Sequence, residues 1–431
     1  SVRSVLVSTS FFMMIFARFF IVVVSILCLS VPGPVNSSRG KHVKHTKSLS
    51  DSSLNGSKSL TKEETDEDFP PLNFRIKDVS TTPLGKVNRT SDFPANSTRL
   101  VDLDDLSQDA QKENISRLNY ETFWHNGSLT LTLVDLEERG KNLSYVRHDV
   151  WDRLPQFELE KNAQDSDWTS DDLKFIHPDP DTRRSRKRRA IFGKDNRIEV
   201  SAEDLKQSPY SAVVKINTGC TGTLISTEHV LTAAHCVHDG LQYIMDVPHL
   251  KVGVLRRQGK VRWIRVDNIR VPRGWTLSND FRYDYSVLKL HRSVPESASF
   301  LEIYEIPEDL SVSMRIQFAS FPADKQDNTL WYSYCKAHCH QHAILNRCDS
   351  SHGSSGAGIY GKIYKKRSQG YERFIMGVFN GVGNRIRFRG RMRRMNVGTK
   401  ITPLKLAQIR SWMDADPPNR YTHMVLGNNN E

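Results

Sequence analysis

Beyond residue 209 the chain is a series of short apolar or alternating runs: "YSAVVKI", "GTLIS", "HVLTAA", "VRWIRVDNIRV", "YSVLKL", "MRIQFASF", "GAGIYGKIY" and "RFIMGVFNG". Gly, Pro, Asn and Asp punctuate them at irregular intervals. Such runs, rich in β-branched and aromatic residues and bounded by turn formers, specify strands. Many of them in series specify an all-β barrel or sandwich. One stretch departs from this pattern. "TPLKLAQIRSWM" sets Leu404, Ala407, Ile409 and Trp412 near helical spacing, with Thr402 as N-cap and Pro403 as the first helical residue. A single C-terminal helix packed on the β structure is predicted.

The front of the chain is built differently. The 431 residues suffice for one large or two medium domains. The formal charge of +12 is carried by clustered basic residues, so the net value does not by itself define a partner. Residues 19–31 are almost wholly apolar, follow Arg18 and meet Pro32-Gly33-Pro34. That is the pattern of a secretory signal peptide. A membrane span needs about 20 apolar residues, and Arg18 cuts this run short. Residues 1–34 are therefore expected to be a signal region, the protein to be secreted and extracellular, and no stable membrane span to exist. Asn-x-Ser/Thr acceptors occur at Asn36, Asn55, Asn88, Asn96, Asn114, Asn126 and Asn142, all before residue 150. Residues 35–115 are rich in Ser, Asp, Lys, Asn and Thr with few apolar clusters, a composition that resists compact folding. "SLTLTLVDL", residues 128–136, alternates as a strand does. Residues 35–189 are thus expected to be a glycosylated, mostly disordered propeptide.

The cysteines follow the same division. Cys28 lies in the signal region, whereas Cys220, Cys236, Cys335, Cys339 and Cys348 all lie in the back half. In a secreted domain five cysteines make two disulfides and leave one thiol. At the junction stands "DTRRSRKRRAIFGKD", where six of the seven residues 183–189 are basic. Such a run fits a solvated or nucleic-acid-binding segment or the pattern cut by furin-type processing proteases. In a secreted chain, between two compositional regimes, cleavage after Arg189 is expected, with Ala190 as the new terminus. The signal region and the glycosylation sites argue against nucleic acid as a partner.

Three stretches carry chemistry. Residues 229–236 read "HVLTAAHC", with Cys220 sixteen positions before Cys236. "RYDYSVLKL" places Asp284 ahead of an apolar strand, 49 residues beyond His235. "CDSSHGSSGAGIY" offers one frame, Gly353-Ser354-Ser355-Gly356-Ala357, in which a serine is set between glycines. These motifs resemble the trypsin/chymotrypsin-like serine proteases. The chain order His235, Asp284, Ser355 is the chymotrypsin order. "IFGKDNR", "VPRGW", "GSSGAGIY" and "NVGTKITPLKLAQI" extend the likeness over about residues 190–412, and it is strongest to the secreted serine protease 23 and 35 subgroup. In serine protease 35 a threonine holds the nucleophile position and that member is regarded as inactive; here the serine is kept.

The resemblance implies a chymotrypsin-like double β-barrel over 190–431, a peptide or protein substrate, Cys220–Cys236 and Cys335–Cys348 disulfides, and a propeptide removed at a basic site. Ser355 would be the nucleophile, His235 its base, and Asp284 the acid that orients the imidazole. The N–H groups of Gly353 and Ser355 would form the oxyanion hole. Gly377 and Gly381 in "GVFNG" would form the opposite wall of the cleft. Asp349, six residues before Ser355, stands where trypsin-like enzymes bind Arg or Lys; it could equally be a turn residue beside Cys348.

One departure counts. The family usually has Asp before the nucleophile, to pair with the freed terminal amine, and this chain has Ser354. The usual activation switch is therefore absent, and a catalytically silent homologue acting as an extracellular binding protein is the alternative. No cofactor or metal is expected. "HCHQH" clusters His338, Cys339, His340 and His342, which suits either zinc or, with no further ligand set in view, a surface loop with an unpaired Cys339. "NRIRFRGRMRRM", residues 384–395, suits a solvated loop, or binding to sulfated glycans or an anionic membrane surface.

Overall fold

The computed structural model describes residues 72, 74–86, 115–138, 176–177 and 189–416, apart from 257–258, 308–310, 366–369 and 389–390. The signal region 1–34, the acceptors Asn36, Asn55, Asn88, Asn96, Asn114 and Asn142, and the basic residues 183–188 lie outside the described residues, as do most side chains of the 384–395 arginine run. No helix among the described residues is long and apolar enough to cross a membrane.

The chain first forms β1 (Phe74–Lys86), a one-turn helix α1 (Ile115–Leu118), β2 (Tyr120–Trp124) and β3 (Ser128–Glu138). Short strands β4 (Ile176–His177), β5 (Arg189–Ala190) and β6 (Ile198–Glu199) follow. A first barrel is then built from β7 (Val213–Ile216), β8 (Thr221–Leu224), β9 (His229–Thr232), β10 (Lys251–Leu255), β11 (Val261–Pro272) and, after helix α2 (Arg273–Ser278), β12 (Ser286–Leu290). The order β11-β10-β7-β8-β9-β12 closes through the β11–β12 pairing. A second barrel uses β13 (Val312–Ser320), β14 (Trp331–His340), β15 (Ala343–Asn346), β17 (Gly358–Lys365), β18 (Gly370–Phe388) and β19 (Arg391–Lys400), with the two-residue β16 (Ser350–Ser351) outside its wall. Its order β13-β17-β18-β19-β15-β14 closes through β13–β14. Helix α3 (Pro403–Asp414) ends the described chain. The expected all-β architecture is therefore present as two closed six-stranded barrels.

Alternation explains the cores. Val214, Ile216, Leu224, Val230, Val252, Ile264 and Leu288 fill the first barrel, and Ile316, Phe318, Ala337, Ile344, Ile359 and Met376 fill the second. Each of the larger side chains among these, fully removed from water, contributes about 1.5–3 kcal/mol. α3 starts as predicted: Thr402 caps it by accepting from Lys405 N at 3.4 Å, with Pro403 in the first turn. Its Leu406, Ala407, Ile409 and Trp412 pack into the first barrel's core.

Both disulfides form: Cys220–Cys236 with Cα atoms 6.0 Å apart and Cys335–Cys348 with 5.1 Å. Cys339 is the unpaired thiol, but it is not in a surface loop. The alternation of β14 turns it into the second barrel's core.

The region expected to be mostly disordered contributes an ordered exception. β3 was legible as a strand, though its faces run against the leucine pattern: Thr132 and Val134 are buried and Leu133 is exposed. β1 and β2 were not, since β1 has Ile76 as its one buried residue. β1 is a strand because it pairs along the length of β3, and β3 pairs with β2. β2 in turn adds to β11 in antiparallel register, Tyr120 opposite Pro272 and Trp124 opposite Asn268. Asn126 sits exposed in the β2–β3 turn, its Oδ1 accepting from Ser128 N at 2.9 Å and Ser128 Oγ at 2.6 Å.

Candidate active site

β9 delivers His235. The strand ends at Thr232 and the chain tightens into the 3-10 turn Ala234–Cys236, which the Cys220–Cys236 disulfide ties back to the start of β8. The His235 ring stays partly exposed, at 29%. Asp284 arrives from the opposite direction, between the 3-10 turn Phe281–Tyr283 and β12, and is buried. Its Oδ2 lies 2.8 Å from His235 Nδ1, and its Oδ1 accepts the main-chain N–H of His235 at 2.9 Å. Held by two bonds to one residue, the carboxylate fixes the proton on Nδ1 and leaves the Nε2 lone pair facing away from it. Burial opposes charging the ring, but the charge of Asp284 and its hydrogen bond prevail and raise the pKa of His235 above the ordinary value.

Ser355 sits in a turn that only glycine can flank. Gly353 has φ +90°, and a Cβ there would lie 2.3 Å from the carbonyl oxygen of Phe321. Gly356 has φ +85°, and a Cβ there would lie 2.1 Å from Thr232 Oγ1 and 2.2 Å from the Thr221 carbonyl. The turn is pinned to the first barrel: Thr221 N donates to the Ser355 carbonyl at 2.9 Å and Thr221 Oγ1 to the Gly353 carbonyl at 2.6 Å. Among the described residues, the N–H groups of Gly353 and Ser355 have no acceptor in the protein.

Asn380 links the acid to the serine. Its side-chain Nδ2 donates to the Asp284 carbonyl at 2.6 Å, and its own carbonyl accepts Ser355 Oγ at 3.3 Å. The serine hydroxyl is thus turned toward Asn380, and no hydrogen bond joins it to His235 among the described residues. Trp275 stands beside the imidazole, ring centroids 6.3 Å apart, with Nε1 donating to the His238 carbonyl at 2.8 Å.

Behind the turn, Ser354 is fully buried and its hydroxyl meets Ser320 Oγ at 3.0 Å. Asp349 does not face an open pocket. It is buried, with Oδ1 accepting from Phe192 N at 2.7 Å and Oδ2 from Asn196 N at 2.9 Å. Both oxygens are thereby engaged by the chain just after the Arg189–Ala190 bond, which corrects the expectation of a carboxylate reserved for a basic substrate side chain. β5 continues this docking, Ala190 opposite Ser350 and Arg189 opposite Ser351. Arg197 adds a fork: Nη2 reaches Asp195 at 2.7 Å and Asp324 at 2.8 Å, and Asp324 Oδ1 also accepts Ser351 Oγ at 2.6 Å. The guanidinium holds Asp324, despite its burial, down at about 2.

The glycines of "GVFNG" divide. A Cβ on Gly377 would lie 2.5 Å from Ile344 Cδ1, so Gly377 is needed for packing inside the second barrel and does not line the cleft. Gly381 follows Asn380 directly on β18. Among the described residues the one grouping of metal-compatible atoms is Cys220, His235 and Cys236. Two of these three are consumed by their disulfide; in the "HCHQH" stretch His338 bonds Ser313 Oγ at 2.6 Å and Cys339 faces the barrel core.

A model of the Trypsin family matches residues 198–352, which takes in His235 and Asp284 and stops short of Ser355. Serine protease 23 of Mus musculus is 34% identical over 321 residues, covering 69% of this chain and 76% of that protein. Inactive serine protease 35 of Mus musculus is 28% identical over 358 residues, covering 70% and 79%. A solved Glu endopeptidase structure aligns with TM-score 0.43 at 20% identity, covering 52% of this chain and 99% of that one. The chain belongs to the trypsin family of serine proteases, in the branch that holds serine protease 23 and inactive serine protease 35.

Three residues around the site, Asn380, Arg197 and Asp324, are not marked by the sequence motifs. For Asn380 the usable signal is a polar residue set between Phe379 and Gly381. Arg197 and Asp324 lie 127 residues apart and carry no local pattern.

Proposed function

We propose that this chain is a secreted serine endopeptidase, made as a precursor that a furin-type protease cuts after Arg189. Ser355 Oγ attacks the scissile carbonyl while His235 Nε2 takes its proton. The carbonyl oxygen becomes an oxyanion facing the N–H groups of Gly353 and Ser355, each worth about 3 kcal/mol of barrier. His235 then returns the proton to the leaving amine, and water hydrolyses the acyl-enzyme by the same relay. Asp284 holds the tautomer and stabilises the imidazolium. Before attack the serine hydroxyl must leave the Asn380 carbonyl by rotating about Cα–Cβ, a motion of picoseconds to nanoseconds for an accessible side chain.

The observation that carries this reading is the Asp284–His235 couple, bridged to Ser355 by the single residue Asn380. Cleavage of the propeptide acts by unblocking the cleft and not by ordering the oxyanion hole. In support, the Ser320–Ser354 pair and the Asp349 clamp are both made with the Arg189–Ala190 bond intact. Sulfated glycans are a further partner through the 384–395 arginine run, tested by salt-dependent elution from heparin resin. The experiment for the enzyme is labelling with a serine-directed fluorophosphonate. The secreted protein is expected to react, and Ser355→Ala and His235→Ala to abolish the signal.

A silent homologue that binds extracellular partners is the second reading, favoured by the Ser355 hydroxyl being bonded to Asn380. An unlabelled wild-type protein, cut and uncut, would select it.

A further inference from the structure

The strands that precede the expected cut are built into the barrel that follows it. We propose that residues 115–138 remain docked after cleavage, so that the mature protein is two chains joined without a covalent bond. The N-terminal chain is then a permanent part of the first barrel's wall, and cleavage unblocks the cleft without releasing it. This rests on the reading that the chain is cut after Arg189.

The contacts are those of a core. Leu118 and Phe123 are fully buried and Tyr120 is 3% exposed. Phe123 packs on Tyr243 with ring centroids 4.6 Å apart, and Tyr120 meets Trp412 of α3 at 5.3 Å. The main chain is engaged at both ends of β2. Arg273 N donates to the Asn119 carbonyl at 2.6 Å, and His125 N to the Asp267 carbonyl at 2.8 Å. Gln408 of α3 donates its side-chain amide to the Leu118 carbonyl. Between them the β2–β11 ladder covers residues 268–272. Departure would strip hydrogen bonds from a strand in the barrel wall and open the pocket that Phe123 fills, losses that folded proteins avoid.

Charge fixes the register. Glu121 is buried, and its carboxylate takes Arg273 and Thr276 Oγ1, the latter at 2.9 Å. Arg117 Nη1 reaches Asp280 Oδ2 at 2.7 Å. These partners belong to α2 and to the cap of the 3-10 turn that presents Asp284, so the docked chain also props the loop behind the acid. A disulfide cannot do this work, because the sequence holds no cysteine between Cys28 and Cys220.

The test uses the full chain in a Ser355→Ala background, with the basic run before Ala190 replaced by the recognition sequence of a site-specific viral protease. After cutting, both fragments are expected in one native size-exclusion peak at the elution volume of the uncut chain. They should separate in denaturing electrophoresis without reductant. Main-chain amides of residues 268–271 should stay as protected from hydrogen exchange as in the uncut chain. An N-terminal fragment that elutes alone, or a loss of that protection, would overturn the proposal. If a furin-type protease fails to cut the native run, the precursor reading falls separately, while the introduced site still decides the docking.

Discussion

Ser320 and Ser354 face each other with their hydroxyls 3.0 Å apart and enclosed, directly behind Ser355. The pair is neutral, so this contact holds the turn without a titrating group. Ser354→Asp is expected to destabilise the uncut chain by about 3 kcal/mol or more, because the new carboxylate is buried without a cation. Ser354→Ala should cost about 1–2 kcal/mol. Urea unfolding of the three proteins checks both values.

If the proposed activity holds, the raised pKa of His235 is expected to set its acid limb. The ring works as a base only when neutral, so kcat/KM should climb with pH through a midpoint above the unperturbed value of about 6.5. Asp284→Asn should shift that midpoint down and lower kcat by about 10⁴. The stability sign is opposite: a raised histidine pKa stabilises the fold below the unfolded value, and that contribution fades as pH rises through the folded one. Paired pH–rate and pH–stability profiles of the wild type and the variant test the assignment.

Asp349 is expected to hold structure and not substrate. Main-chain bonds to a carboxylate contribute about 1.5–3 kcal/mol each, so Asp349→Ala should lose about 3 kcal/mol or more. Its preference among peptide-library residues at the cleavage position should not move. A variant of undiminished stability that no longer cuts after Arg or Lys would restore the pocket role.

Cys339 should be chemically silent in the folded protein. Burial pushes its thiol up to about 12, and a thiol that stays protonated does not react. Alkylation at neutral pH is expected only after denaturation. Modification of the native protein at the rate of a free thiol would contradict its place inside the second barrel.

The sequence displayed what is local. The strand runs, the Thr402 cap, the His235 turn and the glycines around Ser355 each announce themselves within a few residues, because alternation, capping and close backbone approach act at that range. Long-range pairing stayed hidden. Asp349 was ambiguous because its partners, Phe192 and Asn196, are main-chain donors more than 150 residues away, and any residue type supplies those. Cys339 misled because the histidines around it look polar, while strand period sends the sulfur inward and His338 to the other face. β2 was missed because "YETFW" is too short to reveal a period and is fixed by the strand it joins.

A closed barrel leaves no rim on which another strand could grow, and the layer added to β11 brings one back. Among the described residues β1 has β3 as its sole neighbour in the sheet, so it forms the outer border, with Val79 and Leu84 open to water. That border is poorly suited to polymerisation. Pro83 offers no donor, and Lys77 and Lys86 would bring like charges together if two such borders met.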